Sequence, residues 1–357
     1  MTSEQSYIGI RIETGRKASG LSLRALGEEV GISHTAVRKY EQGSVIPSSS
    51  MLIKLSRALG VRIEYFLRPE TYQLSNIQYR KRQGLTKAEL SAIEFDVMDQ
   101  VERQLELESL LPLPENKLEK WYYHSSKIAY NYSDIEEIAD EARSNWHLGL
   151  CAISNFVDIV NEKGIRIIFT KVEIPAKFDG LSAMIGGTHL IVVAKNATGD
   201  RQRFTIAHEL GHLVLDKRIS PDLDIEKACN RFAGAFLLPK TSVIERLGRT
   251  RKDIDIAELS ILKAEFGISM VGILYRALDL GIISSELHRR MMIDFRKNGW
   301  NKIEPGEQYP AETDYAFQQL IFRALSEEYI GPSKAAELLG VSIDEFNEMH
   351  DFTATCE

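Results

Sequence analysis

The stretch Arg203-Phe204-Thr205-Ile206-Ala207-His208-Glu209-Leu210-Gly211-His212-Leu213-Val214-Leu215 is the part of this 357-residue chain whose reading decides most of the rest. Phe204, Ala207 and Leu210, with Leu213 and Val214, recur at helical spacing, so the segment reads as an amphipathic or largely buried helix. Two histidines four residues apart then share one face, one turn apart, and can close on the same metal ion. Glu209 sits between them, where a carboxylate can take a proton from a metal-bound water. An imidazole pair, a further ligand, an open coordination position and a carboxylate base make up a zinc-hydrolase design. An ordinary core helix that happens to carry two histidines is the competing explanation, and the surroundings argue against it. Gly211, between the two candidate ligands, costs about 1 kcal/mol relative to alanine in a helix interior. It is easier to understand if another backbone or a substrate passes close by.

The third ligand has to come from elsewhere. The long zincin pattern needs glycine three residues beyond the second histidine and a further histidine three beyond that; Leu215 and Arg218 stand there, which excludes it. The other common solution is a carboxylate on a following helix. Residues 224–239 read as that helix, with Cys229, Phe232, Ala233 and Phe236 on its apolar face and Pro239 as its stop. Glu226 and Asn230 are four apart and share a face, which makes Glu226 the leading candidate. Asp222 and Asp224 are rivals, though they lie nearer the Pro221 turn and are explained more simply as acids at a helix start.

The run 203–212, then Glu226-Lys227-Ala228-Cys229-Asn230, then Phe232-Ala233-Gly234-Ala235-Phe236-Leu237-Leu238-Pro239, resembles the ImmA/IrrE family of metallopeptidases. That family pairs a zinc-binding H-E-x-x-H with a downstream E-x-x-A-N helix ending in leucines and proline. This chain departs from the pattern at Cys229, where alanine is usual; a small residue is kept. The resemblance covers roughly residues 135–285. It implies His208, His212 and Glu226 as zinc (Zn2+) ligands, Glu209 as general base and a thermolysin-like pair of active-site helices. For several members it also implies cleavage of a DNA-bound repressor.

The segments before the helix fit such a core. Residues 155–162 read as a helix and 164–169 as a buried strand. Residues 181–185 and 189–193 read as a hairpin across Gly186-Gly187-Thr188. A strand at this place is either part of a plain structural hairpin or an edge on which an extended peptide can pair through its backbone, with Ser182, Ala183 and Met184 as candidate substrate contacts. His189 is read as a hairpin residue, since no partner stands at ligand spacing.

The amino-terminal end carries a second signature. Residues 21–43 read as helix, tight turn, helix. Ala25, Leu26 and Val30 face inward, Gly31 makes the turn, Ser33 caps the second helix, and Val37 and Tyr40 point to the core. Ser33, His34, Thr35, Arg38 and Lys39 are left on the outer surface. Short polar groups at a helix start with cations further along suit entry into the major groove of double-stranded DNA. With Pro47 and residues 51–61, a five-helix unit ends near Leu67. The unit resembles the XRE, or phage-repressor-like, helix-turn-helix domain over residues 8–67. Two departures subtract DNA contacts: Leu23 replaces a common glutamine, and Ser44-Val45-Ile46 replaces a commonly basic loop. A helix-turn-helix kept only to bind protein is the alternative.

Charge sharpens the division. The chain is acidic overall, at a formal net charge of −7, whereas residues 1–70 hold ten Lys/Arg against seven Asp/Glu. Residues 79–83 (Tyr-Arg-Lys-Arg-Gln) extend this basic stretch, either as a phosphate contact or as a solvated linker. If DNA is the target, a homodimer is expected, because one such domain binds weakly. Residues 86–111 show Leu90, Ile93, Val97, Val101 and Leu105 at helical spacing and read as a long connecting helix ended by Pro112 and Pro114. A helix over residues 135–150 opens the peptidase part. Residues 254–266 and 270–280 read as helices joined by Gly267-Ile268-Ser269. Residues 314–348 hold further helices, the last bearing Asp344, Glu345 and Glu348, which phosphates would repel.

These readings give a mainly α chain with an α+β core. Residues 1–70 are expected to form a helix-turn-helix domain, 71–130 a basic segment and helical connector, 131–290 a zincin-like peptidase domain with a small sheet, and 291–357 a small helical tail, regulatory or protein-contacting. No apolar run approaches membrane-spanning length and no leader pattern opens the chain. Cys151, Cys229 and Cys356, odd in number and scattered, suggest a reducing cytoplasm. Two functions fit: a zinc metalloendopeptidase brought by its own DNA-binding domain to a protein substrate such as a repressor or toxin, or a repressor or antitoxin whose metal-binding fold senses a partner without routine proteolysis. The intact Glu209 favours the first.

Overall fold

The computed structural model describes residues 3–68, 86–112, 127–172, 180–185 and 188–351. The basic run 79–83, Pro114, the Gly186-Gly187 turn and Cys356 lie outside the described residues. The described residues form seventeen helices and three strands, a mainly helical chain with one small mixed sheet. Among them, no helix is long and apolar enough to cross a membrane.

Five short helices make the amino-terminal unit: α1 (Ser3–Ala18), α2 (Leu23–Val30), α3 (His34–Glu41), α4 (Ser49–Leu59) and α5 (Ile63–Leu67). Serine side chains cap three of them. Ser22 accepts from Ala25 N–H, Ser33 from Ala36 N–H and Ser48 from Met51 N–H, which satisfies helix-start donors that have no partner within the helix. The α2–α3 turn needs glycine twice. Gly31 adopts φ +78°, and a Cβ on Gly27 would lie 2.7 Å from Ile32 O. Ile12, Leu26, Val37, Leu55 and Phe66 are completely buried at the centre of this unit.

Helix α6 (Lys87–Leu110) opens with a capping box between Thr86 and Glu89. It does more than connect. Ile93, Val97 and Val101 bury against one face of the sheet, and Phe95 meets Tyr65 of the amino-terminal unit edge-to-face at 5.2 Å. Arg11 pairs with Glu102 at 2.8 Å. Leu107 packs among the carboxy-terminal helices α15 (Tyr315–Ser326), α16 (Pro332–Leu339) and α17 (Ile343–His350). Arg68, at the end of the amino-terminal unit, binds Asp99 of α6 at 2.7 Å and Glu337 of α16 at 2.9 Å. The apolar stripe of this connecting helix is thus spent inside the chain, and the helices expected as a tail pack on this spine.

The second unit begins with α7 (Tyr132–Asn145) and α8 (Phe156–Glu162). Strands β1 (Ile165–Thr170), β2 (Gly180–Ile185) and β3 (Thr188–Ala194) follow in spatial order β1-β3-β2, with β1 parallel and β2 antiparallel to β3. Leu181, Ala183 and Ile185 of β2 pack towards α6, so strand alternation turns Ser182 and Met184 to the opposite face. That opposite face, through Ile165, Ile167, Ile191 and Val193, shares a core with α9 (Gly199–Val214) and α10 (Ile225–Leu237). A second core, built on α11 (Lys240–Leu247), α12 (Ile256–Phe266), α13 (Met270–Asp279) and α14 (Ser285–Lys297), continues from the end of α10 through Leu238. Gly267 (φ +64°) and Ser269 make the α12–α13 joint as turn and cap.

Candidate metal centre and nucleic-acid face

Helices α9 and α10 cross closely because both carry small residues where they meet. A Cβ on Gly211 would stand 3.2 Å from Cys229 Cα and 3.2 Å from Phe232 Cδ1. The close approach of the neighbouring helix thus explains the glycine between the histidines, and a small residue at 229 belongs to the same contact. Helix α9 is fixed at its other end by Arg203, which is 1% exposed. The guanidinium donates to Glu312 at 2.7 Å and to Ile153 O at 2.7 Å, and stacks between Phe156 and Tyr309. Gly180, at the start of β2, touches Thr205 of α9 so tightly that any Cβ there would overlap it.

This crossing brings His208, His212 and Glu226 together, with one ligand atom from each lying within 4.8 Å of the others. His208 Nε2 lies 3.1 Å from His212 Nε2 and 3.4 Å from Glu226 Oε2, and His212 Nε2 lies 3.3 Å from Glu226 Oε1. Metal–ligand bonds of about 2.0–2.1 Å in a tetrahedron put ligand atoms roughly 3.3 Å apart, close to the separations in this donor set. His208 Nδ1 donates to Asn230 Oδ1 at 2.8 Å, which leaves the Nε2 lone pair facing the cluster. Asn230 was visible in sequence as sharing a face with Glu226, but its role as the orienting group needed the α9–α10 crossing. His208 and Glu209 are buried at 5% and 2% exposure, while the Glu226 side chain is 57% exposed, so the cluster lies at the edge of the core and opens to solvent on the α10 side.

The rival acids fall elsewhere. Asp224 is the N-cap of α10, accepting from Glu226 N–H and Lys227 N–H, and Asp222 lies in the turn with Ser220. His189 sits in the β ladder opposite Ile165 and Met184, apart from the histidine–glutamate group. Of the three residues expected to contact substrate, Ala183 turns its side chain into the α6 core, so it can take part only through its backbone. Ser182 is buried and Met184 half-buried on the other face.

In the amino-terminal unit, Ser33, His34, Thr35, Arg38 and Lys39 are all exposed along α3. Ser33 Oγ accepts from Ala36 N–H and lies 2.8 Å from Thr35 Oγ1, so this hydroxyl is partly committed to capping. The far end of α3 is pinned from below. Arg16 grips Glu41 through two hydrogen bonds of 2.6 and 3.1 Å and donates to Leu21 O at 2.9 Å. That buried fork was not anticipated from sequence; only its i-independent charge pair across 25 residues could have suggested it.

Comparison with known proteins finds two matched segments. Residues 12–66 match the helix-turn-helix family model, and residues 160–278 match the model for the IrrE N-terminal-like domain of the M78 peptidases. An uncharacterized HTH-type transcriptional regulator, y4aM, of Sinorhizobium fredii is 40% identical over 60 residues, 17% of this chain and 42% of that protein. The repressor protein C2 of Salmonella phage P22 is 33% identical over 75 residues, 21% of this chain and 34% of that protein. The HTH-type transcriptional regulator PuuR of Escherichia coli is 37% identical over 71 residues, 20% of this chain and 38% of that protein. The chain thus spans less than half the length of each of these three curated relatives. The solved structure of Bacillus thuringiensis PlcR with the peptide PapR7 and DNA aligns over 98% of this chain and 97% of that one at 12% identity, but its TM-score of 0.20 is too low to argue from. The exposed α3 falls within the first matched segment and the histidine–glutamate cluster within the second, so the chain joins an N-terminal helix-turn-helix domain of XRE type to an IrrE N-terminal-like domain of the M78 peptidase family.

Proposed function

We propose that this chain is a DNA-binding transcriptional regulator whose second domain is a zincin-like, zinc-dependent endopeptidase acting in the cytoplasm on a regulatory protein, a repressor or a toxin. The observation that carries the reading is the His208–His212–Glu226 group, spaced for one tetrahedral cation, with the buried Glu209 beside it. Bound there, zinc supplies a Lewis acid for the scissile carbonyl and makes water a usable nucleophile near neutral pH. Glu209 takes the proton of the attacking water and hands it to the departing amine. Asn230 keeps the His208 ring in register. Among the described residues β2 pairs only with β3, so its outer edge can take an extended segment of substrate by backbone hydrogen bonds over Ser182, Ala183 and Met184. At the other end, His34, Thr35, Arg38 and Lys39 face the major groove, and two copies of the chain on one operator supply the affinity a single domain lacks.

The test is the purified full-length chain and its Glu209→Gln variant, assayed for zinc and for proteins shortened in cells. The expected result is one zinc in both, with at least one regulatory protein shortened only by the wild type. Equal zinc in both and no difference between the two sets of cellular proteins would leave the sensor without proteolysis as the better description.

A further inference from the structure

A cavity of about 390 Å³ lies at the joint between the amino-terminal unit and the rest of the chain. Its walls are the α4–α5 turn of that unit, α6, the residues just past β1, and α16 with its C-cap Gly340. We propose that it binds a small organic phosphate, a compact apolar or aromatic body carrying one phosphate group. The site stands apart from the histidine–glutamate cluster and does not rest on the peptidase reading.

Four cations and three carboxylates line the cavity, and the carboxylates are already engaged. Arg68 binds Asp99 at 2.7 Å and Glu337 at 2.9 Å. Asp96 accepts from Gln100 Nε2 at 3.1 Å and from the Lys171 N–H at 3.0 Å. Arg103 is buried, held by Leu338 O at 3.0 Å through Nη1 and by Asp99 at 3.2 Å through Nε. Gly340 makes room for it, since any Cβ there would overlap the guanidinium. Two cations are left over. Among the described residues, no carboxylate forms an ion pair with Arg62 or with Lys171 at the mouth, and the Lys171 ammonium reaches only Gly340 O at 3.3 Å. Partial loss of water, and then Lys195, Arg103 and Arg62, lower the proton affinity of Lys171. Burial, with Arg68 and Arg62, does the same to Arg103 against the pull of Asp99. Glu345 of α17 faces Arg62 and Lys171 from further off; its carboxylate accepts from Ser342 N–H at 2.6 Å, and Lys195 balances its charge. Three cations crowded round one opening are stabilised by an anion that accepts from all of them, and phosphate oxygens suit both the guanidinium fork and the ammonium. The rest of the wall is carbon, from Leu59, Val61, Phe95 and Val172, which suits an organic body beside the phosphate. An occupant touches both the amino-terminal unit and the remainder of the chain, so it fixes one against the other.

The test titrates phenyl phosphate, inorganic phosphate and phenol calorimetrically into the full-length chain. Phenyl phosphate is expected to bind with a Kd below about 1 mM, inorganic phosphate severalfold more weakly and phenol not measurably. Arg62→Gln and Lys171→Met each remove one charged hydrogen bond and should weaken phenyl phosphate about tenfold. Neither side chain is part of a core, so both variants should fold, and either one alone decides the matter. Arg38→Ala, on the outer face of α3, should leave phenyl phosphate binding unchanged. Wild-type affinity in folded Arg62→Gln or Lys171→Met protein, or a loss in Arg38→Ala, puts the phosphate elsewhere and overturns the proposal. Phenol binding as tightly as phenyl phosphate overturns it too, as does absence of phenyl phosphate binding at about 10 mM.

Discussion

The two candidate sites of this chain use histidine, glutamate and cations in opposite surroundings. On α3, Ser33, His34, Thr35, Arg38 and Lys39 stand in solvent on an eight-residue helix braced from beneath by Arg16 and Glu41. On α9, His208 and Glu209 are buried, and their geometry is set by a crossing so close that even a methyl group at residue 211 would press on α10 at 3.2 Å. The difference follows from the partner each suits. Phosphates and base edges lie outside the protein and come with water and counterions, so their readers must project outward and tolerate adjustment. A metal ion instead needs donors held at fixed separation with their protons removed, which burial and an orienting group such as Asn230 provide.

The largest expected effect is at the buried site. His212→Ala should lower zinc affinity by more than 100-fold, because it removes a ligand outright, whereas losing an outer partner costs roughly 10–100-fold. Competition with a coloured chelator measures this, and zinc retained at wild-type affinity would separate the cluster from metal binding. Asn230→Ala, which frees the His208 ring, should fall within that roughly 10–100-fold range, with Asn230→Asp restoring most of it. If the alanine variant binds as tightly as wild type, the crossing alone holds the ring and the Asn230 bond is incidental.

Next is Gly211→Ala. The added methyl overpacks the α9–α10 contact at 3.2 Å, at a cost of about 1–3 kcal/mol, partly offset by about 1 kcal/mol of helix propensity. Thermal melting of the zinc-loaded chain should show a midpoint lower by a few degrees; a rise would mean the helices part easily and the site is softer than its burial suggests. The smallest effect is expected on α3. Arg38→Ala should weaken DNA binding by about 1 kcal/mol across sequences and reduce the salt dependence of affinity by roughly one charge, with zinc content unchanged. Added salt should likewise release DNA from the wild type while leaving zinc in place. Should the variant alter zinc content, the two regions would be coupled rather than merely joined.

Much of this is legible in the sequence. The helices from 224 onward and from 86 onward begin at the caps Asp224 and Thr86, and Gly31 and Gly267 take up left-handed turns where the spacing demanded them. Local signals of this kind depend on residues within a few positions of each other. The identity of the third carboxylate was less secure. Asp222, Asp224 and Glu226 lie within five residues, and only the helix start distinguishes them: Asp224 is consumed as a cap, which turns Glu226 one step further round to the histidines.

By itself, the sequence determined the elements whose causes are local: the capped helices, the hairpin strands, the two matched domains and the chemical character of the 208–212 segment. Only the tertiary structure decided what depends on residues far apart meeting. The apolar stripe of α6 is closed off by the sheet and by Phe95 against Tyr65, and Arg68 joins three segments through Asp99 and Glu337. Asn230 comes to bond the His208 ring, and Arg231 and Arg276 come to share the Glu136 carboxylate, through partners 22 to 140 residues away. A periodic pattern says which face of a helix is apolar; the partner that covers that face is chosen by packing and charge pairing across the whole chain.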